Sequence, residues 1–530
     1  MTCSTQLPGQ RLLHEFFLFD KRLHMSRAAL LLLVLPTVIS TVGARPARSQ
    51  QVAVMAPPEL DSLRPHIRHL LDSTHAPSLT VAVAHHGKIV WEEGFGAADL
   101  AHHLPATPNT LYSMASISKP ITATGLMTLV EHGTVRLDHA ANDYLGRGKI
   151  TGLAGDAREA TVERVMSHTA GLPLHYRFFY EGGTEVRPSM DEAIARYGII
   201  VYPPGRVYNY ANLDYGIVEQ MIAHTSGESY ERYMRRAVFE PLGMTRTAIG
   251  SGHGLTGAAT RYDDSLKAIP FYDFDHRGAS AVWTTAHELV RFGMFHLRDH
   301  LADEKPILAD STIVGMEQAR TPGDTAHGYA LGWGVDDDHG YRRVSHTGGM
   351  PGVATRLDLY PSQDLAVVVL GNQANPLPSI VASEIENVLL PGRAREVMAE
   401  RAAQQGRPRE AFVAPPELVG DWSGTVRTYQ GIVPIALRVK ADEVLVRFGG
   451  PEALWTLLNR AGYGNQLLGG QFVGTIPTAD ATRHPHNIGM SLWYGDGELR
   501  GWVAAIATNR PIAGAVSSYA ELTKQSVTRE

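Results

Sequence analysis

Short apolar runs rich in β-branched residues, Leu79–His85 and Lys88–Phe95, flank His86-Gly87, a pattern that predicts two strands joined by a tight turn. Beyond a polar loop the spacing becomes helical. Residues Ser116 to Glu131 read as one helix closed by Gly133, and Pro120 suits its first turn, where a missing N–H costs little. Helical patterns continue over Thr161–Ser167, Met190–Tyr197, Asp214–Ala223 and Tyr230–Val238. Thr285-Ala286-His287-Glu288 matches a capping box and opens a helix that runs to about Leu297. The rhythm then returns to short β-rich segments, Tyr329–Val335, Arg342–His346, Val353–Leu359 and Leu365–Leu370, followed by a helix over Ser379–Leu390. Strands at both ends with helices between them predict one sheet assembled from distant segments. Residues 52–395 therefore read as a single α/β (α+β) domain.

Residues 396–416 are charged, Gln-rich and punctuated by proline, the composition of a linker. From Leu418 onward the pattern is strand-like. Val433, Ile435, Leu437 and Val439 alternate with other residues, and "GMSLWYGDGELRGWVAAI" reads as a hairpin turning at Asp496-Gly497. Residues 417–527 are expected to form a second, all-β domain, a small barrel or sandwich.

Composition narrows the function classes. The 530 residues carry a net charge of −6 and no long basic run, which argues against nucleic acid as a partner. Met25-Ser26-Arg27 precedes an apolar run from Ala28 to Ile39, and Val42-Gly43-Ala44 supplies small residues at cleavage spacing. Pro36 interrupts the run, which falls short of the roughly 20 apolar residues that span a bilayer. Residues 1–44 thus read as an N-terminal extension and secretory signal, with translation expected to start at Met25 and the product to be periplasmic or secreted. The alternative is an uncleaved membrane anchor in the cell envelope. Cys3 is the only cysteine and lies in the part expected to be lost. A mature chain without thiols has no disulfide, cysteine nucleophile or thiolate metal site.

The candidate chemistry begins at "SMASISKPIT". Residues i and i+3 share a helix face, so Ser116 and Lys119 point the same way. A serine hydroxyl attacks only when a base takes its proton, and lysine can be that base only when neutral. Alone, S-x-x-K also describes a capped helix start with a solvated lysine. Tyr210-Ala211-Asn212 offers a phenol that can shuttle a proton and an amide that can hold both a lysine and a substrate. His346-Thr347-Gly348-Gly349 lies at the end of a predicted strand, where small residues let a substrate backbone approach and pair as an added strand. Each of these two segments is a weak signal by itself. The 24 histidines include no H-E-x-x-H, and the adjacent pairs His85-His86 and His102-His103 would face opposite sides of a strand. No metal or other cofactor is expected. His168 reads as structural, and Trp333 as either site-lining or core.

Taken in order, S-x-x-K, Y-x-N and H-T-G resemble the serine β-lactamase and penicillin-binding protein superfamily. The branch most similar is that of class C-related serine hydrolases, with D,D-carboxypeptidases, D-aminopeptidases and esterases. The blocks "LYSMASISKPITATGLMTLVEHG", "VMSHTAGLP", "PPGRVYNYANLDYGIVEQMI", "FEPLGMTRT" and "HTGGMPG" carry the likeness from about residue 79 to 372. It implies a β-lactamase-like catalytic domain, an antiparallel sheet with a helical subdomain. It also implies Ser116 as the acylated nucleophile, Lys119 as its base and Tyr210 as the proton shuttle. Asn212, His346, Thr347 and Gly349 would bind substrate, with the Ser116 and Gly349 N–H groups as oxyanion hole. The implied substrates are D-amino-acid peptides of peptidoglycan type or small esters. Two departures stand out. Class C β-lactamases carry lysine where this chain has His346, a residue only partly cationic near neutral pH, and the second motif has Ala211 in place of the more usual serine. A class C-like β-lactamase and a non-catalytic cell-wall peptide binder are the alternatives. In the C-terminal domain "VGDWSGTV" is similar to the first strand of lipocalin-like barrels, and a packing module is expected there rather than a ligand site.

Overall fold

The computed structural model describes residues 54–324, 326–404, 411–509 and 512–525. The signal segment and the Met25 start lie outside the described residues. Strand Ser78–His85 pairs antiparallel with Lys88–Asp99 across the His86-Gly87 turn, where both residues have positive φ (54° and 70°). Its other edge pairs with Leu365–Gly371, from the far end of the domain. The sheet continues through Val353–Tyr360, Tyr341–Met350 and Gly334–Asp338, every pairing antiparallel. Its central strands are buried on both faces, which is why they read as unbroken apolar runs. Val81, Val83, Val367 and Val369 face helices Leu63–Thr74 and Leu377–Leu389. Ala82, Ala84, Ala366, Val368 and Leu370 face helix Ala286–Leu297 and the helical layer behind it.

Several boundaries differ from expectation for identifiable reasons. The strand read over Tyr329–Val335 is two pieces, Gly328–Tyr329 and Gly334–Asp338. The turn between them holds Gly332 at φ 89°, where a Cβ would meet Ala123 Cβ at 2.8 Å and Pro120 Cα at 3.0 Å. This close approach seats the sheet against the Ser118–Glu131 helix. The strand read as ending at His346 runs on to Met350. Thr285 caps the next helix by accepting the Glu288 N–H at 3.1 Å, yet the Glu288 carboxylate turns away to accept from Arg246 N and Thr247 Oγ1, so the capping box is half made. The stretch read as linker, 396–416, begins in a helix, Arg393–Gln404. Its first residue is buried: Arg393 Nε donates to Asp338 Oδ2 at 2.8 Å, and its Nη2 pairs with Glu386 at 2.9 Å.

From Gly420 onward, nine antiparallel strands among the described residues follow one another in a meander. The first, Gly420–Thr428, pairs with the last, Gly514–Lys524, so the sheet curls into a barrel left open between Trp455–Leu457 and Asn459–Gly464. The hairpin turns at Asp496-Gly497, both at positive φ. The barrel sheet is extended by main chain from the first domain: Gly514-Ala515 pair with Tyr176-Arg177, and that strand pairs in turn with Tyr272–Phe274, neither of them part of the first sheet. No helix among the described residues is long and apolar enough to cross a membrane.

Candidate active site

Ser116 stands on a tight 3₁₀ turn, Ala115–Ile117, that runs directly into the α-helix Ser118–Glu131. It therefore sits just ahead of the α-helix rather than within its first turn. Ala115 takes φ 47°, a left-handed conformation that costs a non-glycine residue about 1–2 kcal/mol. The outcome is local and specific: from Leu111 to Leu129 every residue is buried except Ser116. Ser118, the other serine of the motif, is buried and accepts the Val282 N–H at 3.0 Å, a structural tie.

Lys119 is fully buried one turn on, with Nζ 3.1 Å from Ser116 Oγ, 2.7 Å from Asn212 Oδ1 and 3.3 Å from the Ala279 carbonyl oxygen. The last two partners only accept, so they take two N–H groups. The hydroxyl of Ser116 can donate, and a neutral amine has one lone pair left to receive that proton. Burial drives the Lys119 pKa well below its ordinary value, opposed only by the charge of Asp214. Geometry and electrostatics thus agree on an uncharged amine aimed at Ser116.

Tyr210 precedes the helix Asn212–Ser226, which begins with the amide that holds Lys119. Its ring centroid lies 4.6 Å from Lys119 Nζ, and its phenol lies close enough to Ser116 for that side chain to act on its pKa. Burial pushes the phenol pKa above its usual range, against the opposing pull of Ser116, so the group stays protonated. Behind it lies a pair that sequence reasoning did not assign to the site. His168 Nδ1 is hydrogen-bonded to Asp214 Oδ2, both buried, and the imidazole packs 4.5 Å from the Tyr210 ring and 4.6 Å from the Tyr329 ring, centroid to centroid. The "SHTAGLP" block was the available signal, and only the fold reveals its neighbour two residues beyond Asn212.

His346 closes the far side. Its Nδ1 lies 2.7 Å from the Thr347 carbonyl oxygen, an acceptor, so Nδ1 carries the proton. Its Nε2 then accepts from Tyr329 Oη at 3.0 Å. Burial, reinforced by Lys119, lowers its pKa to about 3. The partial positive charge expected from sequence is therefore corrected: His346 is a neutral hydrogen-bonding group. Strand Gly334–Asp338 pairs with this strand only as far as Ser345, leaving the edge from His346 to Met350 without that neighbour. A Cβ on Gly348 would lie 2.2 Å from the Met114 carbonyl, whereas one on Gly349 would meet nothing within 4 Å. Gly348 thus lets the strand abut the Ser116 turn, and Gly349 opens outward. Trp333 belongs to the core, buried against Phe292 and His296. Ser116, Lys119, Tyr210 and Asn212 share one connected cluster, with His346 beside Tyr210 at 6.4 Å between ring centroids.

The sequence pattern of the family described as "Beta-lactamase" matches residues 63–386, more than half of the chain. Protein flp of Staphylococcus aureus is 23% identical over 313 residues, covering 58% of this chain and 61% of that protein. Unguisins hydrolase ungD' of Aspergillus campestris is 27% identical over 329 residues, covering 58% of this chain and 60% of that protein. The chain thus spans about 60% of the length of these curated relatives. Among solved structures, the octameric penicillin-binding protein homologue from Pyrococcus abyssi is similar with a TM-score of 0.54 and 20% identity, over 88% of this chain and 100% of that one. At that identity the likeness is one of fold, and it extends over the barrel.

Proposed function

The chain belongs to the Beta-lactamase family, and from that premise we propose that it is an exported serine hydrolase that cleaves ester or amide bonds through an acyl-enzyme on Ser116. The observation that carries the reading is the buried Lys119 amine, held by two acceptors with its third direction on Ser116 Oγ at 3.1 Å. In the first step the Ser116 hydroxyl proton passes to Lys119 Nζ as Oγ bonds to the substrate carbonyl carbon. The negative charge on the carbonyl oxygen is met by the N–H groups of Ser116 and Gly349. One such donor is commonly worth about 10²–10³ in rate. The tetrahedral intermediate then expels the amine or alkoxide, which takes a proton through Tyr210 while Lys119 returns to its neutral form. A water repeats the sequence on the ester, releasing the acid and restoring the Ser116 hydroxyl. Asn212 holds Lys119 and, with Thr347 and the free strand edge beyond His346, lines the substrate side.

D-amino-acid peptides or small esters are the proposed substrates. A hydrolase among the relatives, unguisins hydrolase ungD', supports the reaction class without choosing between them. The neutral His346 weighs against efficient β-lactam turnover, because it offers no positive charge to a substrate carboxylate. The test is a screen of purified protein against D-alanyl peptides, p-nitrophenyl esters and a chromogenic cephalosporin, with Ser116→Ala as control. Hydrolysis lost in Ser116→Ala supports the reading. Fast cephalosporin turnover would make it a β-lactamase. Absence of both hydrolysis and fluorophosphonate labelling of folded protein would make it a binder.

A further inference from the structure

Tyr210 is the one catalytic side chain carried by irregular backbone. The chain from Tyr202 to Ala211 has no helix or strand to fix it, so its position depends on what it touches. On the catalytic-domain side the ties are clear. Asn209 N donates to the His168 carbonyl at 2.9 Å, Gly205 N to the Thr169 carbonyl at 2.8 Å, and Asn209 Nδ2 to the Leu172 carbonyl at 2.7 Å. The remaining polar atom of Asn209, Oδ1, is taken by the barrel: Trp502 Nε1 donates to it at 3.2 Å. Tyr202 Oη, at the other end of the same segment, donates to the barrel's Ser491 carbonyl at 2.9 Å.

The barrel strand Glu498–Ala507 is built for this contact. Leu499, Val503 and Ala505 point into the barrel core, while Trp502 and Ala504 point outward, as strand alternation requires. Outside, they form an apolar cluster with Tyr519 and Ala515 of the barrel and with Leu174, Val201, Tyr202 and Val207 of the catalytic domain. A tryptophan that is 7% exposed brings a large apolar surface and needs a partner for its N–H. That partner is the residue immediately before the proton shuttle.

We propose that the C-terminal barrel is the outer wall of the proton-shuttle loop, and that Trp502 is a positioning residue that sets the Tyr210 phenol against Ser116 and the leaving group through its bond to Asn209. This rests on the serine-hydrolase reading above and gives the barrel a role in that site. The consequence is selective. Attack by Ser116 depends on Lys119, which the helices hold. Protonation of the leaving group depends on Tyr210, whose loop is held by the catalytic domain on one side and by the barrel on the other.

Two esters sharing one acyl group separate these steps. An alkyl ester needs a proton on its departing alkoxide, whereas p-nitrophenolate leaves without one. Trp502→Phe keeps the aromatic packing and removes the N–H donor. It should lower kcat/KM for the alkyl ester about three- to tenfold, the worth of one hydrogen bond, and leave the p-nitrophenyl ester within twofold. In a Tyr210→Phe background the same change should have no further effect on the ratio of the two rates. Trp493→Phe is the control. It removes an indole N–H that donates within the barrel, to Gln466 Oε1 at 2.9 Å, and should leave both rates unchanged. Should Trp502→Phe fail to fold, Asn209→Leu removes that bond together with the one to the Leu172 carbonyl and should produce a selective loss at least as large. Equal loss on both esters, no loss on either, or a loss that persists in Tyr210→Phe would overturn the proposal. If wild-type protein hydrolyses neither ester in a Ser116-dependent way, it is the underlying hydrolase reading that fails.

Discussion

Lowering the pH tests the charge assigned to His346 without any mutation. In the unfolded chain an imidazole titrates near 6.5; here burial, then the nearby Lys119, lowers it to about 3. At pH 5 a histidine of ordinary pKa would be about 97% cationic, whereas this one would be only about 1% cationic. The hydrogen bonds agree, since Nδ1–H already donates to the Thr347 carbonyl and Nε2 already accepts from Tyr329. A proton on Nε2 would turn that acceptor into a second donor and displace the phenol. The assay compares two substrates that differ only in a free carboxylate on the leaving-group side, with KM measured from pH 5 to 8. The expected ratio of KM values is flat across the range once the substrate's own titration is removed. The imidazole C–H resonances of His346 should likewise not move above pH 5. The reasoning is refuted if the carboxylate substrate gains affinity with an apparent pKa near 6.5 and the gain disappears in His346→Asn.

Lys119→Met, close in shape but without the amine, should cost at least about 10³ in kcat/KM and abolish fluorophosphonate labelling of Ser116, with a stability change within about 2 kcal/mol, because removal of a buried amine offsets loss of the bonds it gives to Asn212 Oδ1 and the Ala279 carbonyl. A variant that still labels at the wild-type rate would remove Lys119 as the base. Gly348→Ala places a Cβ 2.2 Å from the Met114 carbonyl, so the strand must withdraw from the Ser116 turn. A fall in urea stability of about 1–3 kcal/mol together with at least a tenfold loss of kcat is expected, and retention of both would contradict the close packing. Asp275 is buried and accepts from His175 Nε2, His276 Nδ1 and the Arg177 N–H. Burial raises its pKa, but the two histidines outweigh this and hold it below the usual carboxylate range. Because the folded pKa is depressed, its contribution is present above the unfolded value near 3.8 and lost as the pH falls through the folded pKa. Asp275→Asn should therefore cost about 2–4 kcal/mol in urea unfolding at pH 7, with the deficit shrinking below pH 3.8; a deficit under about 0.5 kcal/mol would refute the pairing.

What could be read in the chain was what depends on local periodicity. The i,i+3 spacing placed Ser116 and Lys119 on one face, and it did so even though Ser116 proved to sit in a 3₁₀ turn. Pairing of the first strand with one near the far end of the domain was legible from where the β-formers lay. What burial decides was not legible. His346 is written the same whether it is solvated and half charged or, as here, enclosed and neutral. Trp333 had two readings until Phe292 and His296 were seen against it. The charged run after residue 395 looks like linker by composition, yet it continues a helix pinned by Arg393 on two buried carboxylates, partners supplied by segments distant in sequence. Glu288 completes a capping box on paper and instead serves Arg246 and Thr247 across a loop.

The supports of the site differ in kind, and that difference predicts how it fails. Ser116 and Lys119 are set by one continuous turn and helix, wedged between Gly332 on one side and Gly348 on the other, where no Cβ intervenes. His346 is set by a strand paired on both edges up to Ser345 and on one edge beyond it. That single free edge is the place where an extended substrate can add as a further strand, and its exposure ends where Gly334–Asp338 begins to pair. Ser116 and Gly349, the proposed attacking group and oxyanion donor, are therefore fixed by closely packed turn, helix and strand. Tyr210, the proposed shuttle, is fixed by a loop whose outer contacts come from the barrel. Damage to the sheet should abolish acylation outright. Damage to the barrel face around Trp502 and Tyr519 should leave Ser116 reactive toward fluorophosphonates but slow toward amides and alkyl esters, whose leaving groups must receive a proton.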